Sequence, residues 1–119
     1  MKNAAAILFL ACLGSSALAQ DITLSLPGAA QVERTTVRYE CAGAAPFEVE
    51  YINAGANALA VTPVEGQHLI FVSVISGSGA RYAAGPYVWW TKGAGADLYD
   101  VRLGEDASPT MHCEEAAQH

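Results

Sequence analysis

The chain has 119 residues, with 6 Lys and Arg against 12 Asp and Glu, a formal charge of −6 and a hydrophobic fraction of 52%. That length holds a single domain. The sparse cations exclude a nucleic-acid-binding surface, and the apolar content excludes a disordered acidic tail.

In chain order, the N-terminus reads as an export signal. Lys2 supplies a positive start, Ala4 to Leu13 is an apolar run, and Ala17-Leu18-Ala19 is a small-x-small cleavage pattern. The run is well short of the roughly 20 residues that span a bilayer, so it is not read as a membrane span. Residues 1–19 are expected to be a signal peptide and 20–119 the mature domain. Leu10-Ala11-Cys12 loosely suggests a lipoprotein attachment box. Phe9 is a poor fit at its aliphatic position, so cleavage after Ala19 is favoured over acylation of Cys12. Cleavage removes Lys2, which moves the charge from −6 to −7, and leaves two cysteines, Cys41 and Cys113. An even count in an exported chain reads as one disulfide. Metal binding by His112 and Cys113 would need further ligands that the spacing does not supply.

From there, two-residue alternation dominates, the period of a half-buried strand. An early strand is expected at Ile22 to Leu26. In Thr36 to Cys41 the side chains of Val37, Tyr39 and Cys41 share one face; in Phe47 to Tyr51, Phe47, Val49 and Tyr51 point inward. Ala42 to Pro46 turns between them, which makes a hairpin with Arg38 across from Glu48 or Glu50. Further strands are expected at Ala58–Pro63, His68–Ile75, Ala80–Ala83, Tyr87–Lys92 and Asp97–Leu103, with turns at Asn53–Asn57, Glu65-Gly66, Ser76–Gly79, Gly85-Pro86 and Gly93–Gly95. Seven or eight short strands at regular spacing suit an antiparallel sandwich or barrel, and at this size a barrel leaves fewer exposed edges. On the Tyr87–Lys92 strand the adjacent Trp89 and Trp90 must face opposite ways, one inside and one outside or under a loop.

Catalytic patterns are weak. His68, His112 and His119 have no metal-ligand partner at i+3 or i+4. Val74 breaks a nucleophile elbow at Ser76, and Tyr82 replaces the last glycine of a nucleotide-binding G-x-G-x-x-G. A Ser78–Lys92 hydrolytic dyad would need a desolvated lysine, whereas Lys92 precedes the turn Gly93-Ala94-Gly95. The tyrosines and tryptophans of Tyr87 to Trp90 leave a glycan-binding module as a rival reading.

Ser76-Gly77-Ser78-Gly79-Ala80-Arg81-Tyr82 followed by Tyr87-Val88-Trp89-Trp90-Thr91-Lys92-Gly93 resembles the signature of the bacterial inhibitors of C-type lysozyme, with Tyr39-Glu40-Cys41 and Cys113 at matching positions. The likeness runs from Tyr39 to Cys113. It implies an all-β fold, a small eight-stranded antiparallel β-barrel with one disulfide, Cys41–Cys113. It also implies a periplasmic inhibitor of C-type lysozyme that is not an enzyme and uses no cofactor. The family's loop serine and strand-end lysine, which enter the lysozyme cleft, fall on Ser78 and Lys92; Tyr82 and Tyr87 are candidates for flanking contact. The soluble form is implied rather than the anchored one, and a homo-oligomer is compatible with the sequence. C-type lysozymes are basic, so an acidic partner would be steered towards them. The role of residues 20–35 is left open.

Overall fold

The structure, a computed structural model, describes residues 20–28 and 31–117. The expected signal peptide, Cys12 and His119 lie outside the described residues. Eight strands form one closed antiparallel barrel in simple meander order: β1 (Val32–Cys41), β2 (Phe47–Ala54), β3 (Asn57–Val64), β4 (Gln67–Val74), β5 (Ala80–Ala84), β6 (Tyr87–Lys92), β7 (Gly95–Asp100) and β8 (Met111–Glu115). The meander follows from the short glycine-bearing turns, which permit only antiparallel neighbours.

Closure comes from an element that the alternation did not single out. β8 pairs with both β7 and β1, through Gly95↔Glu114 to Leu98↔Met111 on one side and Tyr39↔Glu115 to Cys41↔Cys113 on the other. The expected strand at Ile22–Leu26 is not one: the segment has no strand pairing, and Ile22 and Leu24 are 84% and 64% exposed. A closed barrel offers no free edge for it to join. The expected strand Asp97–Leu103 also stops early, at Asp100, where the chain turns into a short 3-10 helix, Val101–Leu103. The Asp100 carboxylate causes the stop by accepting from the Arg102 backbone N–H at 3.0 Å and from its guanidinium at 2.7 and 2.9 Å.

The barrel interior holds the inward half of each alternating strand. Trp89, Tyr39, Phe71 and Val49 are its largest fully buried side chains, with Tyr82, Leu98, Ala60 and Ala96 around them. Trp89 meets the Tyr39 ring edge-on at 5.2 Å. A buried indole needs an acceptor, and Trp89 Nε1–H donates to the Tyr51 hydroxyl at 2.9 Å, which lies 2.6 Å from that of Tyr39. Burial, first, and that hydroxyl pairing push the Tyr39 phenol well above its ordinary range. The expected hairpin β1–β2 forms with Arg38 opposite Glu48, but its ion pair is the diagonal one, Arg34–Glu50, at 2.8 Å.

Candidate functional site

Strand β6 has an inner and an outer side. Trp89 enters the core, while Trp90 and Lys92 stand on the outside. The register runs one cross-strand row over this outer face: Arg81 on β5, Trp90 on β6, Asp97 on β7 and His112 on β8. Lys92 ends β6 one step further along, exposed, with its Nζ 4.1 Å from the centroid of the Trp90 ring. Arg81 approaches the same ring, its guanidinium carbon 4.9 Å from the centroid. Both distances are within reach of cation–π attraction.

The β4–β5 loop folds down onto this strand end. Trp90 Nε1–H donates to the Ser78 carbonyl at 2.9 Å, and the Ser76 hydroxyl donates to the same oxygen. Arg81 Nη1 reaches the Ile75 carbonyl at 3.5 Å. Ser78 is thus held by its backbone, and its side chain stays on the exposed surface. Gly79 permits the approach. Its φ is +62°, and a Cβ there would be driven into the Thr91 carbonyl oxygen and would lie 2.9 Å from Lys92 Cγ. Gly79→Ala is therefore expected to lift the loop from β6, because a backbone carbonyl in a ladder cannot swing away as a side-chain tip does. The barrel should remain folded, and any activity that needs Ser78 beside Lys92 should fall by up to about tenfold, the scale of one lost hydrogen bond. Comparing thermal unfolding with function in the variant tests this; full function in Gly79→Ala would exclude a tight loop–strand contact.

The structure brings together two of the four residues expected at the surface site. Ser78 and Lys92 meet through Gly79 and Trp90. Tyr82 has the parity of the core: it is 9% exposed and faces Tyr51 at 5.8 Å between ring centroids inside the barrel. It is a packing residue rather than a flanking surface contact. Tyr87 begins β6, five residues and so roughly 17 Å from Lys92 along the strand. There its hydroxyl accepts from Arg102 at 3.4 Å. Cys41 and Cys113 are bonded, with an S–S distance of 2.06 Å.

Two features were not read from the sequence. One is the role of Trp90, for which the W-W pair gave a direction but no partner. The other is a charged cluster on the same outer face. His112 Nδ1 lies 2.6 Å from Asp97 Oδ1, and its Nε2 lies 2.9 Å from Glu114 Oε1. Asp97 comes from the neighbouring strand β7, directly across from His112, whereas Glu114 stands two residues along on β8 itself. With a carboxylate at each ring nitrogen, the imidazole is fully satisfied only when both nitrogens carry protons. The Asp97 hydrogen bond, then that of Glu114, raises the His112 pKa above its ordinary value of 6.5. A raised folded-state pKa stabilises the fold fully below the unfolded value, and the contribution disappears as pH rises through the folded one. The melting-temperature gap between the native protein and His112→Gln should thus be largest near pH 6 and close as pH rises above neutrality. A gap that does not change with pH would exclude the ion pairs as its source. The cluster is solvent-exposed, so the effect should be modest.

Among the described residues no helix is long and apolar enough to cross a membrane, and no group of three or more His, Cys, Asp or Glu side chains is placed to hold a metal.

Residues 39–106 match the family described as membrane-bound lysozyme inhibitor of c-type lysozyme. A protein of Pseudomonas aeruginosa named membrane-bound lysozyme inhibitor of C-type lysozyme is 43% identical over 113 residues, covering 92% of this chain and 89% of that one. A protein of the same name from Cupriavidus necator is 38% identical over 112 residues, covering 93% and 90%. Among solved structures, the crystal structure of Pseudomonas aeruginosa MliC in complex with hen egg white lysozyme is similar. Its TM-score is 0.70 at 44% identity, and the match covers 83% of this chain and 99% of that one.

Proposed function

This chain belongs to the family of membrane-bound lysozyme inhibitors of C-type lysozyme, and we propose that it inhibits such lysozymes by setting Ser78 and Lys92 into the active-site cleft. The observation that carries this reading is the fixed juxtaposition of an exposed ammonium with an exposed, backbone-anchored serine loop on one outer face of a rigid barrel.

Physical chemistry supplies the mechanism. A glycosidase of this kind works with a protonated carboxylic acid and an ionised carboxylate on either side of the scissile bond. An ammonium between them pairs with the ionised one and favours loss of the proton from the other. The Ser78 hydroxyl donates or accepts a hydrogen bond in place of a substrate group. The barrel blocks substrate entry simply by filling the groove. In this reading the chain acts as a binder rather than as an enzyme, in keeping with a family of inhibitors. Tyr87 is at most a peripheral contact in this reading.

The rival glycan-binding reading requires an open aromatic face for a sugar ring. Trp89 is inside the barrel, Trp90 already carries Lys92 and Arg81, and Tyr87 carries Arg102 at 5.6 Å. We place the protein outside the inner membrane, exported by residues 1–19 and acting in the periplasm after cleavage at Ala19. The relatives are named as membrane-bound, and in this chain acylation would fall on Cys12.

The test is a clearing assay on bacterial cell walls digested by hen egg white lysozyme. Added protein should slow clearing until one equivalent is present and then stop it. Undiminished clearing at excess protein would overturn the reading. Sedimentation with peptidoglycan in the absence of lysozyme would favour the glycan module instead.

A further inference from the structure

We propose that Trp90 is the positioning residue of this site, one indole that fixes Ser78 through its N–H and Lys92 through its ring so that the two contacts enter a partner as one rigid unit. The inference rests on the occlusion reading above and deepens it.

Three independent contacts converge on this side chain. Its Nε1–H holds the Ser78 carbonyl at 2.9 Å, the Lys92 ammonium lies 4.1 Å from the ring centroid, and the Arg81 guanidinium lies 4.9 Å from it. Arg81 in turn reaches the carbonyl of Ile75, where the loop begins. The loop is therefore tied near both its start and its tip to a single ring. Trp90 is not needed to fill the core, since that space belongs to Trp89 on the opposite side of the strand. Its Tyr99 neighbour, at 6.3 Å between centroids, steadies the ring from β7.

The energetic role follows from what binding costs. A free lysine moves among many rotamers and carries a tight hydration shell, and both are lost when it enters a narrow cleft. A side chain already laid along an indole has fewer rotamers to lose. One side of its ammonium faces a π surface, so less water must be stripped. Binding then draws on preorganisation rather than on additional contacts.

The test uses the full protein with hen egg white lysozyme as probe and compares dissociation constants of the native chain, Trp90→Leu, Lys92→Ala and the double variant. Trp90→Leu should weaken binding about tenfold or more, the scale of one hydrogen bond together with one cation–π contact. Trp90→Phe, which keeps a ring and loses the N–H, should fall between. In the Lys92→Ala background the Trp90→Leu loss should shrink severalfold, because part of it acts through the lysine. Equal losses in both backgrounds, or a Phe variant no better than Leu, would overturn the proposal. If Trp90→Leu fails to fold, the Phe variant alone carries the cycle. Proton NMR of the free protein gives a second readout. The Lys92 ε-methylene protons should be shifted upfield by the indole ring current, and unshifted resonances would also overturn the proposal. If Lys92→Ala binds lysozyme as tightly as the native chain, the occlusion reading itself falls and this inference with it. If Lys92→Ala binds weakly but the cycle is additive, only the role of Trp90 falls.

Discussion

Lys92→Ala is expected to raise the inhibition constant against hen egg white lysozyme by about two orders of magnitude while leaving the far-ultraviolet circular dichroism and melting curve nearly unchanged. The two halves of that expectation have different sources. Lys92 is exposed at the end of β6, with its ammonium over the face of Trp90. An exposed cation–π contact contributes about 0.5–1 kcal/mol, so the fold loses little. In a complex the same ammonium would be desolvated against a carboxylate. Removing one partner of such a pair costs about 2–5 kcal/mol, because the carboxylate left behind is buried without a counter-charge. That range corresponds to factors from about 30 to several thousand. Lys92→Arg should recover only part of the loss, since a planar fork is wider than an ammonium and does not occupy the same slot. Ser78→Ala is the milder companion. Trp90 holds the Ser78 carbonyl, not its hydroxyl, so the variant leaves the loop in place and reads the hydroxyl alone, about tenfold at most. Inhibition by Lys92→Ala equal to that of the native chain would remove the electrostatic core of the mechanism.

Much of this site was legible because the period of a strand is rigid. Adjacent tryptophans on one strand had to part, and Trp89 and Trp90 did. The close approach of Gly79 to Thr91 and Lys92 was not legible in the same way, because it depends on how the loop folds back onto β6. Alternation also placed Val37, Tyr39 and Val49 inward, and the interior holds them. The same rule, applied strictly, would have set Tyr82 aside: it pairs with Trp89 across the β5–β6 ladder and so shares its side. The motif drew attention to Tyr82, whereas parity decided its place. Ile22 to Leu26 failed in the opposite sense. Its alternation is clean, but a strand needs a partner, and β8 had already closed the seam. Met111–Glu115 is short and ends in two glutamates, which hid the two inward residues Met111 and Cys113. The Asp97 half of the His112 cluster depends on register between β7 and β8, which no single stretch of sequence encodes; Glu114 is two residues from His112 on the same strand.

The seam that β8 closes is also where the disulfide should matter most. β1 and β8 share three paired positions, fewer than any ladder but one in the barrel, and at one of the three Glu40 stands directly opposite Glu114. Like charges across a ladder repel. The bond between Cys41 and Cys113 lies at the adjacent pair, with its sulfur atoms turned to the core side, where Cys113 is fully buried. It closes a loop of 72 residues, which on a chain-entropy argument stabilises by about 4 kcal/mol. For a domain of this size that is a large share of a total near 5–15 kcal/mol. Replacing both cysteines with alanine, or reducing the bond, should therefore lower the melting temperature by well over about 10 °C, since each kcal/mol shifts it by roughly 4–8 °C at this length. Inhibition should fail before the barrel unfolds as a whole. β8 lies beside β7, whose first residue Gly95 pairs with Lys92, so a seam that opens at β1 frees the wall against which the Lys92 turn is built. Calorimetry of the oxidised protein and the double alanine variant, followed by inhibition assays at rising temperature, tests both parts. Equal melting temperatures would show that the ladder alone closes the barrel. A lower melting temperature with inhibition persisting up to it would show that the site is independent of the seam.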